Sequence, residues 1–190
     1  YGTGEGQFNK ARDVYVNMEG VQTPEVYVAD QGNHRIQVFE LNGTFLRQFG
    51  SYGNNLGQLN NPLGVCVGPD GKVYASSHHG QKVQVFEQNG SSVREIAIGM
   101  YAADLAFSGD KLVVAGGAHH RVKIFETNGS LLTTLGSGAA SKEEGLFNNS
   151  FGIAVDAAGR IHVSCRDNHR IQVFDVNGTY LNSYGVYGSK

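Results

Sequence analysis

The chain has 190 residues, 27 of them glycine and three proline, with 40% apolar and 17% charged residues and a formal net charge of −2. That balance allows a core and excludes a disordered tail. It also excludes the basic stripe that a general phosphate-binding surface needs. No apolar run approaches the roughly 20 residues of a membrane span, and two cysteines exclude a disulfide-dense scaffold or a four-cysteine zinc site.

In chain order, one segment recurs four times. Arg35-Ile36-Gln37-Val38-Phe39 returns as Lys82-Val83-Gln84-Val85-Phe86, as Arg121-Val122-Lys123-Ile124-Phe125 and as Arg170-Ile171-Gln172-Val173-Phe174, at spacings of 47, 39 and 49 residues. Each copy is followed by Asn-Gly, at Asn42, Asn89, Asn128 and Asn177. The period falls in the range of propeller blades. Within a repeat, alternation with turn punctuation reads as strands. In the fourth repeat, 152–156 is an inner strand, 157–159 a turn, 160–164 a second strand, 167–169 a tight loop, 170–175 a third strand and 179–184 a fourth. The equivalent inner strands are expected at 13–16, 64–67 and 104–107. Asn-Gly is the strong signal for a type I′ hairpin turn, in which both central residues have positive φ.

The expected fold is therefore all-β, four four-stranded antiparallel blades at about 8–50, 59–98, 100–136 and 147–186, making one domain over 1–190. It is either a tight four-bladed ring or part of a larger propeller. Phe39, Phe86, Phe125 and Phe174 are expected in one buried layer between blades. Tyr1-Gly2-Thr3-Gly4 aligns with Tyr52-Gly53-Asn54-Asn55 and with Tyr187-Gly188-Ser189-Lys190, so residues 187–190 begin a fifth period. A start at Tyr1, without methionine or a leader, is expected of a chain that is processed or cut from something longer.

The fullest copy of the motif, Val26-Tyr27-Val28-Ala29-Asp30-Gln31-Gly32-Asn33-His34-Arg35-Ile36-Gln37-Val38-Phe39, resembles the NHL repeat family, named for its Asn-His-Leu-like tripeptide. The third copy drifts furthest, with Gly116-Gly117-Ala118-His119-His120-Arg121 at the signature loop. NHL repeats commonly form six-bladed propellers, whereas four repeats are present here. The resemblance implies an interaction module. It also brings two further readings: RNA-hairpin binding on a basic face, as in NHL proteins that follow a RING-type region, and the zinc chemistry of related propeller lyases.

The expected inner strands contain no histidine, which speaks against a zinc lyase, and no metal or cofactor is expected. His34, His120 and His169 align on separate blades, with Gln81 at the fourth position, too far apart to share one ion at about 2.0–2.1 Å per ligand. The Asn-His pair is expected to cap a strand-to-strand turn, its polar groups bonding local backbone. Cys66 reads as a core residue and Cys165 as the counterpart of Asp30; a bridge between them is not expected. No nucleophile elbow, phosphate loop or paired catalytic carboxylate stands out, so the chain is not expected to be an enzyme.

A candidate channel-mouth ligand surface is Arg12, Leu63, Ala103 and Phe151, each at the start of an inner strand. Only one of the four is basic, which favours protein over RNA. Arg35, Lys82, Arg121 and Arg170 are expected to form a ladder with Glu40, Glu87, Glu126 and Asp175. Asn42, Asn89, Asn128 and Asn177 each stand two residues before a hydroxyl residue, as does Asn148, so all five are N-glycosylation candidates. Duplication of one hairpin explains the four turns equally well. Occupied sequons would place the chain outside the cell. The resulting expectation is a non-catalytic, extracellular, glycosylated module that associates head to tail with itself or binds another protein. The alternative is an intracellular NHL domain that binds RNA or protein within a larger ligase-type protein.

Overall fold

The computed structural model describes residues 1–18 and 23–188; Ser189 and Lys190, part of the fifth-period match, lie outside the described residues. The first sheet contains β1 (Ala11–Asn17), β2 (Glu25–Asp30), β3 (Arg35–Glu40) and β4 (Phe45–Phe49). The second contains β5 (Val65–Val67), β6 (Val73–Ser77), β7 (Lys82–Phe86) and β8 (Ser92–Ala97). The third contains β9 (Asp104–Ser108), β10 (Lys111–Ala115), β11 (Val122–Glu126) and β12 (Leu131–Leu135). The fourth contains β13 (Ser150–Val155), β14 (Ile161–Cys165), β15 (Arg170–Phe174) and β16 (Tyr180–Tyr184). Each sheet is antiparallel with its strands side by side in chain order, so the fold is all-β with four four-stranded propeller blades. The chain divides into two compact units, Tyr1–Ala102 and Ala103–Lys190, each holding two blades.

Alternation along the strands gives every blade two packing faces. In the first unit, Tyr27, Ala29, Ile36, Val38 and Phe49 form the trailing face of the first blade. They pack against Val65, Val67, Val73, Ala75 and Phe86 on the leading face of the second. In the second unit Val113, Val122, Ile124 and Leu135 meet Ile161, Val163, Cys165 and Phe174 in the same way. The four phenylalanines of the repeat are buried as expected, with Phe39 at 8% exposure and Phe86, Phe125 and Phe174 at 1–2%.

The Asn-Gly hairpins differ from the expected type I′ turns. Gly43 has φ +89°, but neither Leu41 nor Asn42 has positive φ. The Gly43 N–H donates to the Glu40 carbonyl, and the register slips between Val38 and Phe39. This is the three-residue loop with a glycine bulge. The asparagine contributes through its side chain. Asn42 Oδ1 accepts the Thr44 N–H at 2.8 Å, and Asn89 and Asn128 do the same for Ser91 and Ser130. At the fourth turn Asp175 takes this part, accepting from Asn177 and Thr179.

Candidate interaction surface

The signature loop sits between the second and third strands of each blade. In the first and fourth blades it is a single 3-10 turn, Gln31–Asn33 and Arg166–Asn168. A left-handed residue follows in every blade: His34, Gln81, His120 and His169 have φ of 53–56°. Each histidine caps its own turn as expected, its backbone N–H donating to the carbonyl of Gln31, Gly117 or Arg166, but two of the rings reach further. His34 Nδ1 accepts the Asn61 N–H at 3.1 Å, and His120 Nδ1 accepts that of Asn149 at 2.9 Å. The left-handed turn swings the ring out of its own blade and onto the next. Asn61 and Asn149 are themselves left-handed, with φ of 56° and 58°.

In the first blade the loop is organised around Asp30, whose side chain is fully buried. Its carboxylate accepts from the Asn9 N–H at 2.8 Å, Asn33 Nδ2 at 2.8 Å, Arg35 Nε at 2.9 Å and Gln37 Nε2 at 3.2 Å. The rest of the Arg35 guanidinium donates to the carbonyls of Thr3, Gly4 and Gln7. One buried ion pair thus straps residues 2–9 onto the blade. The expected basic ladder is therefore not formed. Lys82 pairs with Glu95 at 2.7 Å, Arg121 donates to the Ser137 carbonyl and Arg170 to that of Glu143. Glu87 and Glu126 are held instead by Lys72 and Lys111, across the neighbouring strand pair. The basic residue begins its strand and reaches the loop before it, so the acids at the far end of the strand are out of range.

Four further positions lock blade to blade. Asp13 Oδ2 accepts the Val65 N–H at 2.8 Å, and Asp104 Oδ2 accepts that of Ile153 at 2.8 Å. Leu59 and Phe147 are fully buried knobs. They press so closely on Gly50 and Gly136 that a Cβ there would stand 2.7 Å from Leu59 Cδ1 or Phe147 Cδ2. Reciprocally, Phe49 covers Gly90, and Leu135 covers Gly178. The alternation of aspartate at 13 and 104 with glycine at 64 and 152 is the trace these locks leave in the sequence. It is invisible until the strands are assigned to blades.

Of the candidate channel-mouth residues, Leu63 and Ala103 are buried, at 8% and 3% exposure. Their backbone amides are tied to Ser76 Oγ and the Ala115 carbonyl, which draws both inward. Arg12 reaches solvent, with Nε donating to Gln31 at 2.7 Å, and Phe151 is 38% exposed. Asn42, Asn89, Asn128 and Asn177 are exposed. Asn148 is half-buried, and the hydroxyl of its sequon partner Ser150 donates to the Arg121 carbonyl. Cys66 and Cys165 are buried free thiols. Burial pushes the Cys165 thiol up, keeping it protonated. Among the described residues, no three histidine, cysteine or acidic side chains gather where they could hold a metal ion, and no helix is long and apolar enough to cross a membrane.

Comparison with known proteins agrees with this architecture. The NHL repeat model matches residues 152–174. Over 67 residues the chain is 42% identical to Protein brain tumor of Drosophila melanogaster, covering 35% of the chain and 6% of that protein. Over 64 residues it is 38% identical to RING finger protein nhl-1 of Caenorhabditis elegans, covering 34% of the chain and again 6% of the relative. Among solved structures, virginiamycin B lyase from Staphylococcus aureus superposes with a TM-score of 0.73 at 14% identity, over 93% of this chain and 55% of the lyase. A Nidogen/Laminin complex structure superposes with a TM-score of 0.75 at 15% identity, over 94% of this chain and 65% of the matched one. At such identities the likeness is one of fold alone, and the chain spans only a small part of its curated relatives. The fourfold signature, the blades it builds and the matched repeat agree: the chain is a β-propeller array that carries an NHL repeat at 152–174 and is similar to NHL proteins over about a third of its length.

Proposed function

We propose that the chain is a non-catalytic protein-interaction module that assembles with copies of itself and carries N-glycans on its outer turns, outside the cell. The observation that carries this reading is the exposure of the leading face of the first blade. Val14 and Val16 stand 60% and 44% exposed, whereas Val65 and Val67, at the same positions of the second blade, stand at 1% and 8%. A face built like a blade-to-blade contact supports docking by another blade of the same build. The four outer Asn-Gly turns support the glycan part, because their asparagines are exposed. Sedimentation across a concentration series tests assembly: a mass that rises with concentration is expected, and a constant monomer overturns it. Intact mass of protein secreted from eukaryotic cells, before and after glycosidase, tests the glycans; no loss of mass overturns them.

A second reading is an intracellular NHL domain that binds RNA or protein within a larger ligase-type protein. It is supported by the similarity to a RING finger protein. Tight binding to an RNA hairpin with a steep salt dependence, lost in Arg12→Ala, would favour it. A shallow slope is expected, because few phosphates can be neutralised at once.

A further inference from the structure

Resting on the self-assembly reading, we propose that the contact between copies is a head-to-tail repeat of the blade-to-blade lock: the trailing face of the fourth blade in one copy receives Phe8 and the leading face of the first blade in the next copy. The lock is seen twice inside the chain, between the first and second blades and between the third and fourth. It has three parts. A residue of the fourth strand, Phe49 or Leu135, enters the next blade beside its hairpin glycine, Gly90 or Gly178. A knob from the loop leading into the next blade, Leu59 or Phe147, returns onto Gly50 or Gly136. A signature histidine, His34 or His120, accepts the N–H of a left-handed residue, Asn61 or Asn149.

Each part recurs on the two faces without a partner blade over it, Tyr184 touching only His162 of its own blade among the described residues, hydroxyl to Nδ1 at 3.4 Å. On the fourth blade Tyr184 occupies the position of Phe49 and Leu135, yet it is 55% exposed where they are at 9%. Beside Gly185, which corresponds to Gly50 and Gly136, lies a cavity of about 430 Å³ lined by Ile171, Tyr184 and His169. His169 is left-handed like His34, and Tyr187 stacks on it at 4.8 Å as Tyr52 stacks on His34 at 4.8 Å. Its Nδ1 has no partner among the described residues.

On the first blade Phe8 stands where Leu59 and Phe147 stand. It stacks on Phe39 at 5.7 Å, as Phe147 does on Phe174 at 5.6 Å. A cavity of about 350 Å³ opens beside Phe39 and the hairpin glycine Gly43. Lys10 is left-handed, with φ 60°, at the position of Asn61 and Asn149, and its N–H donates to nothing among the described residues. Tyr184 therefore matches the Gly43 cavity, Phe8 the Gly185 cavity, and His169 Nδ1 the Lys10 N–H. One element is missing, because Gly152 replaces the bridging aspartate. Its acceptor is not needed: the Val14 N–H, the counterpart of those at Val65 and Ile153, is already held by Asp13 Oδ1 at 2.8 Å. Because the two faces differ, the contact is heterologous and propagates into a ring or a filament.

The test uses two variants at exposed positions, so the blades keep their fold: Val14→Glu blocks the leading face and Tyr184→Glu the trailing face. Each alone should weaken association about 100-fold or more, since a carboxylate would be buried without a partner. An equimolar mixture retains one intact contact, the trailing face of the first variant against the leading face of the second. It should give a heterodimer and nothing larger. If the wild type associates and either variant still does so with undiminished affinity, self-assembly stands but these faces are not its contact, and this inference falls. If both variants are monomeric and the mixture stays monomeric, the reciprocal pairing is wrong. A wild type that remains a monomer at every concentration overturns both readings.

Discussion

The first and fourth signature loops share one backbone and differ in what fills it. Both are a 3-10 turn followed by a left-handed histidine, and both position a glutamine that reaches the strap ahead of the blade. Gln37 Nε2 donates to the Gln7 carbonyl at 2.8 Å, and Gln172 Nε2 to that of Leu146 at 2.7 Å. In the first loop the centre is Asp30, a carboxylate with four donors around it. In the fourth it is Cys165, which Gln172 Nε2 meets at 3.3 Å, and both Arg170 Nε and Asn168 Oδ1 are buried without partners. The left-handed turn and the glutamine therefore define the loop; the ion pair tightens a geometry that forms without it.

Removing Asp30 tests this most severely. Asp30→Ala leaves Arg35, whose side chain is 8% exposed, facing a site with no anion. Breaking a buried pair from one side costs about 3–5 kcal/mol, readable as a lowered midpoint in chemical unfolding. The double variant Asp30→Cys with Arg35→Ala, which removes the charges together, should recover much of that loss. If Asp30→Ala costs under about 1 kcal/mol, the pair adds nothing to the turn.

Packing between the blades gives the next effect. Phe174 is 1% exposed, with Phe147 over it at 5.6 Å. Phe174→Ala should cost about 3–5 kcal/mol, and Phe39→Ala the low end of that range, because the cavity beside Phe39 lies open. Equal losses in calorimetry or urea unfolding would mean that the leading face of the first blade is covered in solution, as association through it would require.

A gain should follow in the fourth loop. Cys165→Asp offers a carboxylate to Arg170 Nε, Asn168 Nδ2 and Gln172 Nε2, the donors that surround Asp30 in the first loop. Charge-assisted hydrogen bonds are worth about 1.5–3 kcal/mol each, set against the cost of burying the anion, so a net stabilisation of about 1 kcal/mol is expected. A destabilised variant would show that the strap of the fourth blade has relaxed away from the anion site.

The blades were legible in the sequence because period-two alternation and turn residues are local signals, and fourfold repetition multiplies them. The phenylalanine layer followed from the same alternation. What was not legible depends on which blade a side chain meets. His34 caps its own turn through its backbone N–H, as the sequence implies, but where its ring goes is not written in a histidine: the ring's direction follows from φ, and φ from the loop. The basic residues and the acids of their own strands share a repeat pattern, although a side chain at a strand's first position reaches the preceding loop. Leu63 stands at a channel-mouth position by alignment, yet its N–H donates to Ser76 Oγ and its side chain is buried. The Asn-Gly pairs mark where the turns fall but not their type, since the glycine alone carries the positive φ and the asparagine acts through its side chain.

The smallest effect separates the signature histidines by pH. His34 Nδ1 accepts the Asn61 N–H, so the neutral ring must carry its proton on Nε2; protonating Nδ1 turns the acceptor into a second donor aimed at a donor. Burial, and then the nearby His79, hold the His34 pKa below the ordinary histidine value. A depressed histidine contributes stability that is fully present above its unfolded value of about 6.5 and is lost as pH falls through the lower folded value. The amount is at most that of one neutral hydrogen bond, about 1 kcal/mol, and less because solvent reaches the ring. Gln81 occupies the equivalent position with φ 54°, so His34→Gln fits the backbone without the titration. Between about pH 7 and pH 5 the wild type should therefore lose slightly more stability than the variant. The Asn61 amide, corrected for intrinsic exchange, should lose its protection over the same interval. If wild type and variant fall in parallel and Asn61 keeps its protection, the bond from blade to blade does not depend on the neutral ring, and the left-handed turn alone holds the two blades in register at that point.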